Sequence, residues 1–549
     1  MFIDDSTYTR DGKIYRRVLL RNSYRKDGKT RHDTIANLSS CTDAEIDAIK
    51  LALRHKENLA DIGNAKDDAK FEQGLSVGAL LTLQQTAKSV GLNQALGSTR
   101  DAKLALWLVF ATVIAQGSRL SAVRLAQQHA ACDLLDLETF NEDHLYGTLD
   151  WLAEHQNKIE ESLFRKRYQG QEAPKFYLYD VTSSYFEGTQ NELAEYGYNR
   201  DGKKGKKQIV IGLMTDVEGW PIAAEVFTGS TRDMKTLPNQ ITAVAERFGA
   251  KEVTFVGDRG MIKSAQIKEL DSHNFHYITG ITKPQINSLL NKGAIQLSLF
   301  DTKVTEITID GIRYILRKNP TRAEEIKKTR EGKLESIRKF ITKQNLYLQE
   351  HPKAKISIAQ KKVEAKIKLY AISKWVEIKL EDRQLKATIL TGRLAEESLL
   401  DGCYILTSDL TKEQATAEQI HARYKELAEV EMAFRTMKTS LLEIRAIYLR
   451  KANRTKAHVF VVMLAYMLVH KLKAYWREIE LTTEEAFAEL SSICSLKVRI
   501  KNQLMYQVIP MPRKLGQALL KKAHIVLPDA LPYKNIEVVT RKKLVSERK

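Results

Sequence analysis

The chain has 549 residues, too many for one hydrophobic core, so roughly three or four structural units are expected. Its 87 Lys and Arg outnumber 68 Asp and Glu, and the resulting formal charge of +19 is spread along the chain rather than confined to a tail. That balance points to a polyanionic partner, nucleic acid above all. The four cysteines, Cys41, Cys132, Cys403 and Cys494, are far apart. They argue against a disulfide framework and a zinc site, and fit a reducing compartment. The N-terminus has no apolar signal core, and the longest apolar runs, Leu104–Ile114 and Val459–Val469, are about half the length a membrane span needs. A cytoplasmic protein with no membrane partner is therefore expected.

Residues 1–42 read as a small basic antiparallel sheet, with β-type segments Lys13–Leu20 and Thr30–Ala36 joined across an Asp27-Gly28 turn. From Asp43 to about Gly170 the pattern is helical. It opens on a Thr42-x-x-Glu45 capping box, and Ala102–Gln116 is the most apolar helix. The texture changes at Pro174. Lys175–Thr182, Gln208–Thr215 and Pro221–Phe227 read as a strand meander, Asp233 to Gly249 as an amphipathic helix, and Glu252–Val256 and Phe275–Thr279 as further strands around the helix Ser264–Ser272. A mixed sheet sandwiched by helices follows. The rhythm breaks from about Thr282 to Leu400, which reads as an inserted subdomain. It holds a hairpin around Gly311, two helices broken near Pro352 with 14 Lys and Arg against 6 Glu over 321–368, and β texture again at Leu369–Leu380 and Gln384–Thr391. Asp401–Thr407 resumes the core with a last strand. A helical stretch, Ile420–Ser440, and an apolar helix, Ala457–Trp476, follow, and then a basic appendage after about Thr482.

Three acids in these elements can carry chemistry. Asp180 ends an apolar stripe with Phe176 and Leu178 on one face of a strand, a costly place for a carboxyl unless it is paired or holds a cation. Asp258 ends the strand VTFVG, where sheets present ligands, although an Asp there can equally cap the next helix. Glu431 shares a helix face with Tyr424, Leu427 and Lys438, within an arc of about 60°. Its bland reading is a solvated side chain paired with Arg435. A mid-strand Asp, a strand-end Asp and a helical Glu after a long insertion can together bind two Mg²⁺ ions. Such a pair activates a water or a 3′-hydroxyl on one side of a phosphodiester and stabilises the leaving oxygen on the other.

Asp180 in YDVTSSYFEG, Asp258 in FVGDRGM and Tyr424-x2-Leu427-x3-Glu431-x6-Lys438 resemble the DDE transposases of bacterial insertion sequences. More narrowly they resemble the insertion-sequence-four family, whose signature is Tyr-x2-Arg-x3-Glu-x6-Lys. The basic loop GYNRDGKKGKKQIVIGL, the turn and strand DVEGWPIAAEVF and Gly229-x3-Asp233-x2-Thr236-Leu237 add to the likeness, which covers roughly 170–480. The resemblance implies an α/β (mixed α+β) fold: an RNase H-like mixed sheet flanked by helices and interrupted by an α+β insertion. The expected domains are a sheet at 1–42, a helical DNA-end-binding region at 43–170, the catalytic core at 171–281 and 401–480, the insertion at 282–400 and a basic C-terminal region at 481–549.

The same resemblance implies that Asp180, Asp258 and Glu431 are the catalytic, metal-binding triad. They would hold two Mg²⁺ ions per active site, with Mn²⁺ as a substitute. Tyr424 and Lys438 would contact DNA. Leu427 departs from the signature, so the phosphate contact of its Arg falls to Arg423, Lys425 or Arg435. Lys203, Lys204, Lys206, Lys207 and Arg259 are further expected DNA contacts. The implied activity is cleavage of an element's terminal inverted repeats and transfer of the 3′ ends to target DNA. It would take place in a homodimer on double-stranded DNA, close to the bacterial nucleoid. Two alternatives stand beside it: an RNase H-like nuclease without strand transfer, and a DNA-binding relative whose site has decayed.

Overall fold

Runs rich in Val, Ile, Tyr and Phe become strands in the computed structural model, which describes residues 1–10, 13–26, 28–54, 69–188, 190–198, 200, 202–203, 205–248, 253–259, 261–439, 442–444, 448–500, 503–531, 536, 538 and 540. The chain divides into two units. One comprises the described residues of 1–75, 494–511 and 528–533, and the other those of 76–493, 512–527 and 534–549.

In the first unit, β1 (Phe2–Arg10), β2 (Lys13–Lys26) and β3 (Lys29–Asn37) form an antiparallel sheet in the order β1-β2-β3. The acids of β1 answer part of its basic charge: Arg16 pairs with Asp5 at 2.8 Å and Arg21 with Asp4 at 2.8 Å. A second sheet has the order β16-β15-β4, from Gln503–Val508, Cys494–Ile500 and Ala69–Ser76. This corrects two expectations. Residues 43–170 are not wholly helical, and the stretch after Thr482 is not a bare appendage. The partners of β4 lie more than 400 residues downstream, so no local pattern signals the pairing.

The second unit is built on an eight-stranded sheet in the order β10-β11-β14-β9-β8-β5-β6-β7. One end of it is the meander β5 (Phe176–Tyr185), β6 (Gln208–Thr215) and β7 (Pro221–Thr228), antiparallel throughout, with β7 at the edge. β8 (Thr254–Gly257) and β9 (His276–Gly280) run parallel to β5 on its other side. Five strands in this order and sense make the RNase H-like frame that the resemblance implied. Tyr177, Tyr179 and Val181 point to one face, where they pack with Leu237, Ile241 and Phe255. Asp233 to Gly249 is less regular than one amphipathic helix: a 3₁₀ turn (Asp233–Lys235), an α segment (Leu237–Thr242) and a π turn (Ala243–Arg247) follow one another.

The helices of 76–170 close around Arg100–Ile114, in which ten side chains are buried, among them Trp107 and Phe110. The apolar run at 459–469 belongs to the 25-residue helix Ala452–Trp476. That helix is long and apolar enough to cross a membrane, yet 72% of its most apolar window is buried inside the protein.

The hairpin around Gly311, expected within the insertion, instead extends the sheet. β10 (Thr305–Ile309) pairs with β11 (Ile312–Lys318), and β11 with β14 (Cys403–Ser408). What departs from the sheet is residues 319–402. They form the long helix Pro320–Glu350, the helix Ile356–Leu369 and the hairpin β12 (Val376–Glu381) with β13 (Gln384–Ile389), around a core of their own that includes Ile337, Val363 and Trp375. Trp375 is buried there and offers no free ring to a base.

The long helix starts hard against β14. Asn319 caps it and donates its backbone N–H to the Gly402 carbonyl at 2.8 Å. Gly402 has φ of +73°, and a Cβ there would lie 2.3 Å from the Asn319 carbonyl oxygen. Gly402→Ala should therefore destabilise the protein by about 2–3 kcal/mol, about 1 for the left-handed backbone and the rest for the clash. A lowered urea midpoint with unchanged slope is the expected readout. An unchanged midpoint would show that this approach is not needed.

Candidate active site

β5 and β8 are parallel neighbours with Tyr179 opposite Gly257, so one register step further Asp180, in the middle of β5, lies beside Asp258, just past the end of β8. Phe176, Asp180 and Thr182 share the face of β5 turned away from the Tyr179 cluster. On that face lies a helical pair, Ala417–Lys425 and Leu427–Lys438. Expected as one helix, Ile420–Ser440 instead divides at Glu426, whose N–H is shared between the Ala422 and Arg423 carbonyls. Ser440 lies outside the described residues. No Gly or Pro marks the break, so periodicity alone ran through it.

The pair is anchored along β5 at both ends. The Arg423 guanidinium lies 4.9 Å from the Phe176 ring centroid, and the Lys438 ammonium donates to Thr182 Oγ1 and the Ser183 carbonyl. Glu431 falls between these anchors and is exposed, as Asp180 falls between Phe176 and Thr182 on the strand. Asp180, Asp258 and Glu431 line one cavity of about 500 Å³. Among the described residues no ion pair joins Glu431 to Arg435, the pair that a purely solvated helix would have favoured.

The electrostatics follow from this crowding. Burial pushes the Asp180 carboxyl up to about 7, and the neighbouring Asp258 and Glu431 carboxylates push in the same direction. The Val181 N–H and the Arg200 guanidinium oppose them. Arg200 is held by Asp233, which gives that acid a structural task near the site. The Tyr424 hydroxyl donates to Asp258 Oδ1 at 3.2 Å, and burial and Asp258 raise its phenol well above the usual range. Gly280 makes room for that ring, because a Cβ there would lie 2.9 Å from the Tyr424 hydroxyl oxygen.

Lys438, expected at DNA, is engaged by β5. Arg423 Nη1 donates to both carboxylate oxygens of Glu426 at 2.9 and 3.1 Å. Leu427, at the signature's Arg position, is buried. Lys425 and Arg259 are exposed and line the cavity, whereas Arg435 is exposed and does not. In the basic loop, Lys203 lies 5.7 Å from the Tyr185 ring, Lys206 pairs with Glu187 at 2.7 Å, and Lys207 lies 6.0 Å from the Tyr196 ring. Lys204 lies outside the described residues.

The sequence reading missed Asn319, Arg322 and Tyr404, which line the same cavity. Nothing local marks them, since they come from the start of the insertion and from β14. Tyr404 bonds the His421 ring, which burial and the Arg317 charge push down to about 4. His421 is therefore neutral and ties the first helix of the pair to β14.

Residues 172–468, more than half of the chain, match the family described as "Transposase DDE domain". The chain belongs to the DDE transposase family. Residues 4–67 of the transposase match "IS1634 family transposase, N-terminal domain", which supports the resemblance to insertion-sequence transposases. No curated protein matches the chain. Among solved structures it is similar to a piggyBac transposase in a synaptic complex with hairpin DNA, at 11% identity and a TM-score of 0.34, covering 75% of this chain and 76% of that one.

DDE transposases use divalent metal ions, and DNA is their partner. The donor set here fits such an ion in kind: three carboxylates line one cavity, and Asp258 and Glu431 add to the rise of the Asp180 carboxyl. Among the described residues no three His, Cys, Asp or Glu side chains are drawn together closely enough to hold one ion.

Proposed function

We propose that the transposase binds the terminal inverted repeats of an insertion sequence, cleaves its ends and transfers the 3′ ends to target DNA, using Asp180, Asp258 and Glu431 as its metal-holding triad. The observation that carries this is that a mid-strand aspartate, a strand-end aspartate and a helical glutamate line a single cavity. Mg²⁺, or Mn²⁺ in its place, at two ions per site, would activate the attacking water or 3′-hydroxyl and stabilise the leaving oxygen. The protein's part is positional. Lys438 pins the catalytic helix to β5, Tyr424 orients Asp258 through its hydroxyl, and Arg259 and Lys425 bring positive charge to the rim for the phosphate backbone. Assembly as a homodimer holding both element ends belongs to this reading.

A supercoiled donor plasmid carrying both element ends tests it, scored on a gel for nicked, excised and joined products in Mg²⁺. Joined products support transposition, and excision without any joining would favour the nuclease. Affinity for element ends should also fall steeply with salt, because neutralising several phosphates releases counterions. A slope near zero of log affinity against log salt would contradict a backbone-dominated contact.

A further inference from the structure

The cavity that holds the three acids is also lined by the start of the insertion helix Pro320–Glu350, through Asn319, Arg322 and Ile326. An anionic strand entering it needs cations facing the carboxylates, and the buried Leu427 supplies none. Of the three residues to which that contact had fallen, Arg423 is spent on Glu426 and the Phe176 ring, Arg435 lies outside the cavity, and Lys425 is a point charge without a fork.

We propose that Arg322, on the insertion rather than the catalytic helix, supplies the guanidinium that clamps a strand phosphate at the catalytic cavity. The inference rests on the catalytic reading of Asp180, Asp258 and Glu431.

Three observations carry it. Arg322 lines the same cavity as the three acids. Its side chain is 66% exposed, and it pairs with Glu325 on the same helix, an i,i+3 pair at 2.8 Å that costs little to exchange for a phosphate. Its position is also built. The helix start is locked to β14 by the Asn319–Gly402 contact, and two turns on Arg330 Nη2 donates to both carboxylate oxygens of Asp401 at 2.9 and 2.7 Å. The first turn, with its N-terminal positive end, is thereby held as part of the core rather than as a loose appendage.

The test compares wild type, Arg322→Ala, Arg322→Lys and Glu431→Gln in full-length protein, measuring end binding across a salt series and cleavage of the donor plasmid. Arg322→Ala should keep its melting midpoint, lose about one from the magnitude of the salt slope and cleave about tenfold more slowly or worse. Arg322→Lys keeps the charge without the fork, so it should recover the slope and only part of the cleavage. Wild-type slope and cleavage in Arg322→Ala, beside an inactive Glu431→Gln, would overturn the assignment of Arg322 alone. A Lys variant with the slope of the Ala variant would overturn it too, since charge sets the slope. An active Glu431→Gln would overturn the catalytic reading beneath it.

Discussion

Glu431→Gln should bind element ends with wild-type affinity and yield neither cleaved nor joined product in Mg²⁺, a loss of about a thousandfold or more. Binding persists because phosphate contacts come from Lys and Arg, none of which the substitution touches. Cleavage and joining fall together because one site serves both. The fold should not suffer, since Glu431 is exposed and the replacement keeps length and helix propensity. Wild-type product on the gel would sink the triad assignment and return Glu431 to the status of a surface residue.

Asp180→Asn should be equally inactive but more stable than wild type in metal-free buffer at pH 8. The folded protein raises this carboxyl from 3.8 to about 7. Between those values the folded state holds a proton that the unfolded chain has released. The stability linked to that proton is full below about pH 4 and is lost as pH rises through 7. Asparagine carries no such penalty. Its advantage should be small near pH 4, grow towards neutrality and level off above it, on the order of a few kcal/mol at most. Thermal melts at three pH values read this directly. Added Mg²⁺ should raise the midpoint of wild type more than that of the variant, because it binds where the charge has been removed. A variant that melts below wild type at pH 8 would mean that the carboxylate is already compensated.

The two aspartates were legible because period two and strand-end position are local properties. Asp180 stood at the end of an apolar stripe, and the chain could not place it there cheaply without a use for it. Glu431 was legible through its neighbours Tyr424 and Lys438, although the helix that seemed to carry all three is two helices meeting at Glu426. Arg322 was not legible. It sits in a long charged helix among other Lys and Arg, and only the close approach of Asn319 to Gly402 separates it from them. Likewise β4 could not be read as a strand of its sheet, since its alignment depends on residues at the other end of the chain.

Lys318 of β11 stands directly opposite Cys403 of β14 in the ladder. Topologically, then, residues 319–402 are one overgrown hairpin turn whose two feet are a strand spacing apart. Closing such a gap costs little more entropy for a long excursion than for a modest one. The frame beneath can therefore host inserts of very different size without re-registering a single strand. Editing this turn would leave Asp180, Asp258 and Glu431 in place while removing or replacing Asn319 and Arg322, which line the same cavity. On the proposed reading, chemistry and substrate handling would then be separable parts of one polypeptide, joined at two neighbouring strands.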